Sequence, residues 1–232
     1  DNVEIALVEA FIAHEFDLKN STRNSDCSPM TFIRLGTSGG VQPDISPGTL
    51  AIASYALGLD STGIYYDQPP EDEIVERIEV EAEKILTEAT ANTSRFKGKI
   101  IPYASKASAE VTDALVNQAT NHNVAFEAGI TVSSPGFYGP SSRFVDGLKN
   151  TLPNIKGSLS KLNIDGLKVL NMEMESSLLF HLCSQMGYRA GTICTVISAP
   201  TESDVIIDYD AAIGNTIDIG LNALVELNET NK

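Results

Sequence analysis

The chain has 232 residues, 42% hydrophobic and 20% charged, a composition that argues against disorder and suits one large domain. Sixteen Lys and Arg against 31 Asp and Glu give a net charge of −15, which repels phosphodiester backbones and anionic lipid and so counts against nucleic-acid and membrane-surface partners. The three cysteines (Cys27, Cys183, Cys194) form no CxxC pair, which suits a reducing cytoplasm, and no apolar run approaches the roughly 20 residues of a membrane span.

Val3, Leu7 and Phe11, flanked by Val8 and Ile12, share a helical face that should end near His14. Residues 17–29 are polar and turn-rich and predict an exposed loop. Met30–Leu35 and Thr49–Leu59 predict buried strands, joined by GTSGGVQPDISPG. Pro and acids in residues 69–73 mark a helix start, continued by Ile74, Ile78, Ile85 and Ala89 to about Ala91, with a solvated acidic face. Lys99–Ser105 predicts a strand, and Ser108 the cap of a helix running to about Asn121. Val124–Ser133 predicts a further strand, residues 134–166 are mostly irregular, and Lys168–Met174 is again a strand. Glu175–Met186 predicts a helix closed by Gly187, Arg189–Ser198 a strand, and about Tyr209–Leu227 a final helix. Strand and helix alternate without internal repeats, which predicts a single α/β domain with a mainly parallel or mixed sheet. Ligands of such sheets bind beyond the carboxyl ends of the strands, so polar residues that close an apolar strand are the candidates for a site.

Arg34 interrupts an apolar strand, where its guanidinium needs an anion, either a carboxylate such as Asp44 or a ligand. Thr37, Ser38, Gly39 and Gly40 follow, so hydroxyls and backbone N–H groups can converge as an oxyanion or phosphate cradle. A structural Arg–Asp pair beside a Gly-rich turn fits the same residues. In NMEMES (171–176) the strand period of two puts Glu173 and Glu175 on one face and Met172 and Met174 on the other. Two acids there can accept from ribose hydroxyls while Met packs on a ring; equally, one Glu can serve the N-terminus of the next helix. Paired carboxylates also fit glycosidase acid–base chemistry, but spacing along one chain does not fix their separation. The loop Ser133–Arg143 sets Phe137 and Tyr138 beside Arg143, a pattern that can stack on a planar heterocycle or tuck its aromatics into the core. His181 lies on an apolar helix and reads as a core or interface residue, and no His, Cys and acid grouping has metal-ligand spacing.

Taken in order, RLGTSGGVQPDISPGT (34–49), SPGFYGPSSR (134–143) and NMEMES (171–176) resemble the phosphate-binding segment, base-recognition loop and ribose-binding strand end of the nucleoside phosphorylases, and within them the uridine phosphorylases. The resemblance runs from about Val3 to the last helix. It implies a three-layer αβα domain with a mixed central sheet. It also implies phosphorolysis, in which a nucleoside and inorganic phosphate, a co-substrate, give free base and ribose 1-phosphate with no metal or other cofactor. By the same resemblance Arg34, Thr37 and Ser38 bind phosphate; Thr37, Glu173, Met174 and Glu175 bind ribose; and Phe137, Ser141, Arg143 and Ile197 bind the base. Arg34, Glu175 and Arg143 would carry catalysis. The family further implies a cytoplasmic enzyme of pyrimidine salvage, a homodimer or a hexamer built as a trimer of dimers, with sites shared between subunits.

Three departures accompany the resemblance. Ser141 stands where the uridine phosphorylases carry Gln, and Ala199-Pro200 where they carry Asn-Arg, so a second base-side cation is absent. The purine enzymes' catalytic Asp would fall near Ser198, so base specificity stays open. The family's Pro-Gly-Asp-Pro phosphate loop with its arginine, and a histidine given by a neighbouring subunit, would lie upstream of Asp1-Asn2-Val3. Residues 1–232 are therefore expected to form one domain lacking the family's N-terminal segment. A purine phosphorylase or nucleosidase of the same fold, and a non-catalytic nucleoside-binding or storage relative, are the alternatives.

Overall fold

The computed structural model of this chain describes residues 2–24, 26–199 and 208–230. The expected first helix is α1 (Asn2–Glu15), but the polar stretch after it is not a plain loop. There β1 (Phe16–Asp17) and β2 (Thr22–Arg23) pair antiparallel. Asp17 builds the turn between them by accepting from the backbone N–H groups of Lys19 and Asn20, so the same polar residues serve a hairpin.

β3 (Thr31–Gly40) runs five residues beyond the expected end at Leu35. Its glycines do not break it, because β9 (Arg189–Ser198) pairs with it in parallel along its length, with a bulge at Ser38/Gly39. Past the bulge, Gly39 and Gly40 pair antiparallel with Met172 and Asn171 of β8 (Leu167–Glu173). The other strands are β4 (Leu50–Gly58), β5 (Tyr103–Lys106), β6 (Phe126–Ser133) and β7 (Asn163–Ile164). Their order is β3-β9-β4-β6-β8-β7, with β5 on the side of β4. Since β8 pairs with both β6 and β3, this mixed sheet curls round until its sides meet. The carboxyl ends of β3 and β8 overlap there, with those of β9 and β6 beside them.

Helices α2 (Glu73–Ala89), α3 (Ala109–Asn121), α4 (Ile155–Leu159), α5 (Ser176–Met186) and α6 (Tyr209–Thr230) complete the fold. Asp72 caps α2 through the N–H groups of Ile74 and Val75, and Gly187 closes α5 at a positive φ of 75°. Ser108 precedes α3 as expected, yet its hydroxyl accepts from the Ala190 N–H at 2.9 Å, fixing the helix start to β9 rather than capping it. The expected strand over Lys99–Ser105 shortens to β5, with residues 99–102 irregular. The stretch 134–166 contains α4 and β7, both too short to show a periodicity.

Three apolar clusters bind helices to sheet. Ile78 and Leu86 of α2 and Ile155 and Leu159 of α4 pack on Leu57, Ile130, Val132 and Val169. Leu7 and the apolar side of α5 meet Ala53 and Ala56, while α3 and α6 cover Leu50, Ile52 and Ile193. Each fully buried Leu, Ile or Val among them contributes about 1.5–3 kcal/mol. His181 is a satisfied core residue, with Nε2 2.7 Å from the Tyr66 carbonyl and Nδ1 3.0 Å from Gln68 Nε2. Among the described residues no helix is long and apolar enough to cross a membrane.

Candidate active site

Where the carboxyl ends of the four strands gather, a cavity of about 250 Å³ opens. All ten candidate residues line it: Arg34, Thr37 and Ser38 from β3; Phe137, Ser141 and Arg143 from the loop after β6; Glu173, Met174 and Glu175 at the end of β8; and Ile197 near the end of β9. Gly39, Lys156, Met172 and Ser198 complete the wall.

The anion that meets Arg34 is not Asp44, which lies exposed elsewhere, but a pair of carboxylates more than a hundred residues away. Arg34 Nη2 donates to Glu175 Oε2, and Nε lies 3.2 Å from Glu173 Oε2. Nη1 donates to Cys194 Sγ at 2.8 Å. Two of the five guanidinium N–H groups thus donate hydrogen bonds, to Glu175 and Cys194, while Nε faces Glu173 as an ion pair. Burial works against the Arg34 charge, but the Glu173 and Glu175 carboxylates outweigh it and the pKa is raised. Burial likewise pushes the Cys194 thiol up to about 12, so it stays neutral. Gly36 is what lets the side chain fold back over its own strand: a Cβ there would sit 2.4 Å from Arg34 Nη1.

The expected division of faces in NMEMES does not hold. β8 ends at Glu173 and the chain turns into α5, so Met172 and Met174 line the same cavity as the two acids. The acids differ in burial and in work. Glu173 is 5% exposed, and its carboxylate accepts from Ser133 Oγ at 2.6 Å and from the N–H groups of Glu175 (3.0 Å) and Ser176 (3.1 Å). It answers the unpaired amides at the N-terminus of α5 while holding Arg34. Glu175 keeps a side chain 38% exposed, with Arg34 its single ionic partner among the described residues. Ser38 Oγ accepts from Asn171 Nδ2 at 2.8 Å, and Asn171 Oδ1 accepts from Thr131 Oγ1 at 2.7 Å. That chain leaves the Ser38 proton available for the cavity, and makes Asn171 a positioning residue that its place in an apolar strand could have signalled.

The loop aromatics are not tucked into the core: Phe137 is 54% and Tyr138 60% exposed. Arg143 stacks on Phe137, its Cζ 3.8 Å from the ring centroid. Ser141 donates its only proton to the Gly136 carbonyl at 2.8 Å, so its hydroxyl serves the loop. Of the Ala199-Pro200 pair, Ala199 is half-buried just after β9, and Pro200 lies outside the described residues. Sequence reasoning missed Lys156 on α4. Its available signal was a Lys next to Ile155 in a turn capped by Asn154, with Leu159 four residues on from Ile155.

The family model of the phosphorylase superfamily matches residues 2–224. The chain belongs to that superfamily. The uridine phosphorylase of Haemophilus influenzae is 30% identical over 175 residues, which cover 75% of this chain and 56% of that protein. The uridine phosphorylase of Thermococcus kodakarensis is 32% identical over 171 residues, 72% of this chain and 48% of that one. This chain therefore spans about half the length of these two relatives. A DeoD-type purine nucleoside phosphorylase of Dichelobacter nodosus is 24% identical over 234 residues, 94% of this chain and 88% of that protein. Among solved structures, a Trypanosoma brucei nucleoside phosphorylase described as showing uridine phosphorylase activity aligns with a TM-score of 0.82 at 28% identity, covering 97% of this chain and 77% of that one. The mixed α/β fold is that of the nucleoside phosphorylases.

Proposed function

We propose that this chain is a nucleoside phosphorylase acting on a pyrimidine nucleoside. The observation that carries the reading is the convergence on one cavity of Arg34, Thr37, Glu175, Phe137 and Arg143, brought from three distant stretches of chain. Glu175, half-exposed and facing the cavity, accepts the ribose hydroxyls; Met174 packs on the sugar, and Phe137 on the planar base. The N–H groups of Arg34 not given to Glu175 and Cys194, with the hydroxyls of Thr37 and Ser38, hold the phosphate. Glu173, whose oxygens are already occupied, acts through Arg34 and the α5 amides rather than on ribose. As the C1′–N bond breaks, its electron pair leaves with the base and the sugar gains oxocarbenium character. A phosphate oxygen then forms the new bond to C1′. Fixed charges near both ends of that separation are worth more in the transition state than before it. Phosphate enters as a co-substrate, and the chemistry calls for no other cofactor. A homodimer, or a trimer of dimers, in the cytoplasm and working in pyrimidine salvage, belongs to the same proposal and rests on the family resemblance.

The test is phosphate-dependent release of base from uridine, run alongside thymidine, inosine and adenosine. Release from uridine or thymidine that needs phosphate supports the reading. Release without phosphate indicates a nucleosidase, and four intact nucleosides at high enzyme and phosphate refute catalysis.

A further inference from the structure

Resting on that phosphorylase reading, we propose that Lys156 is a base-side residue of the site, a fixed ammonium that receives the negative charge leaving with a carbonyl-bearing base. Its position is built. Ile155 and Leu159 are buried in the core at 2% and 0% exposure, which turns the intervening Lys156 towards the cavity. The base loop is locked to the same short helix through Ser142, whose Oγ accepts from the Ile155 N–H at 2.9 Å and donates to the Leu152 carbonyl. Asn150 adds a bond from Nδ2 to the Arg143 carbonyl at 3.1 Å. Gly39 leaves room for the ammonium: a Cβ at that position would stand 2.7 Å from Lys156 Nζ and 3.1 Å from Ser198 Oγ.

Charge distribution identifies what the ammonium awaits. At one end of the cavity Arg34 is already ion-paired with two carboxylates, and its other N–H groups with the β3 hydroxyls are the donors given to phosphate. At the other, Lys156 and Arg143 have no carboxylate partner among the described residues. Burial, then the Arg143 charge, lowers the Lys156 pKa, the mark of a cation held where no anion yet stands. Arg143 is already spread over Phe137, the flat surface available to a heterocycle. A base stacked there with its sugar at Glu175 presents its edge to these two cations. Their mutual repulsion is relieved as the base takes the electron pair of the breaking bond, so the interaction strengthens towards the transition state. Carbonyl oxygens can accept from an ammonium, whereas an exocyclic amino group cannot. With Lys156 at the 4-position of a pyrimidine or the 6-position of a purine, the favoured substrates are 4-oxopyrimidine and 6-oxopurine nucleosides, and cytidine and adenosine, which carry an amino group there, are disfavoured.

The experiment compares Lys156→Met, which keeps the apolar stem, and Lys156→Arg, which restores a cation, in phosphorolysis of uridine and 5-fluorouridine. Lys156→Met is expected to lower kcat on uridine by roughly 100-fold, the usual loss for one donor at a developing charge. The loss should be smaller with 5-fluorouridine, whose more acidic base leaves more readily, with the KM for phosphate unchanged and Lys156→Arg recovering most of the rate. A raised phosphate KM with kcat intact, or equal losses on both nucleosides, overturns the assignment. If the unaltered protein cleaves neither nucleoside, the phosphorylase reading fails by itself. Calorimetric titration of uracil then decides the inference: affinity at least tenfold weaker in Lys156→Met sustains it, and equal affinity ends it.

Discussion

Exchanging either acid of the site for its amide separates chemistry from scaffold, because the two sit in different surroundings. Glu175 pairs with Arg34, and its side chain is 38% exposed. A partly exposed pair of this kind is worth about 0–1 kcal/mol, so Glu175→Gln should shift Tm by no more than about 2–4 °C in a chain this size. The same change removes the charge from the acceptor of the ribose hydroxyls. A hydrogen bond to a charged group contributes about 1.5–3 kcal/mol, so kcat/KM on uridine should fall about 10- to 100-fold. With 2′-deoxyuridine, which has one hydroxyl fewer to hold, the penalty should shrink. Glu173 is 5% exposed, accepts from Ser133 Oγ and two backbone N–H groups, and is ion-paired with Arg34. An amide there turns an NH₂ group towards donors, at a cost of about 2–3 kcal/mol, or about 4–12 °C in Tm. Scanning calorimetry and steady-state rates on the two variants read both quantities. Equal destabilisation, or full activity in Glu175→Gln on a folded protein, would refute the division of labour.

Gly36→Ala forces a methyl to within 2.4 Å of Arg34 Nη1, and the flexible guanidinium yields before the strand does. The expected result is a phosphate KM raised about tenfold with Tm nearly unchanged, a binding loss of about 1.4 kcal/mol. Phe137→Ala removes the ring beneath Arg143, an exposed stacking contact of about 0.5–1 kcal/mol, so the nucleoside KM should rise about two- to fivefold without loss of stability. Burial, then the nearby Glu71 and Glu76 charges, raises the Glu79 pKa despite the Ala104 N–H it accepts. A carboxyl whose folded pKa is raised favours the fold while protonated and loses that contribution as pH rises through the folded value. Glu79→Gln should therefore raise Tm at pH 7, with the gain vanishing as pH falls through the ordinary carboxylate range; thermal melts across pH 4–8 would show it.

The alternation of strand and helix, and the polar closures of three strands, were legible because apolar periodicity and turn chemistry are local properties. β3 was cut short at Leu35 because glycine has low strand propensity in isolation; β9 and β8 on either side supply the pairing that carries the strand to Gly40. Carboxylates do meet Arg34, but which ones was not legible, for a related reason. Asp44 is near in sequence, whereas Glu173 and Glu175 arrive through the closure of β8 on β3, which no local pattern encodes. Period-two reasoning failed at Met172–Glu175 because the chain leaves the strand midway. Lys156 escaped notice since α4 makes little more than one turn, too short for a hydrophobic stripe to repeat. The chemistry of Ser141 also depended on tertiary detail: its residue type admits a ligand contact, but the Gly136 carbonyl claims its proton.

The most direct measurement is a crystal structure of the protein with a non-cleavable uridine analogue and phosphate. The ribose hydroxyls should lie on Glu175, the base against Phe137 and the Arg143 end, and the phosphate within hydrogen-bond reach of Arg34 and Thr37. A nucleoside bound elsewhere, or a phosphate seated away from Arg34 with the sugar unclamped by Glu175, would contradict a shared site at the carboxyl ends of β3 and β8.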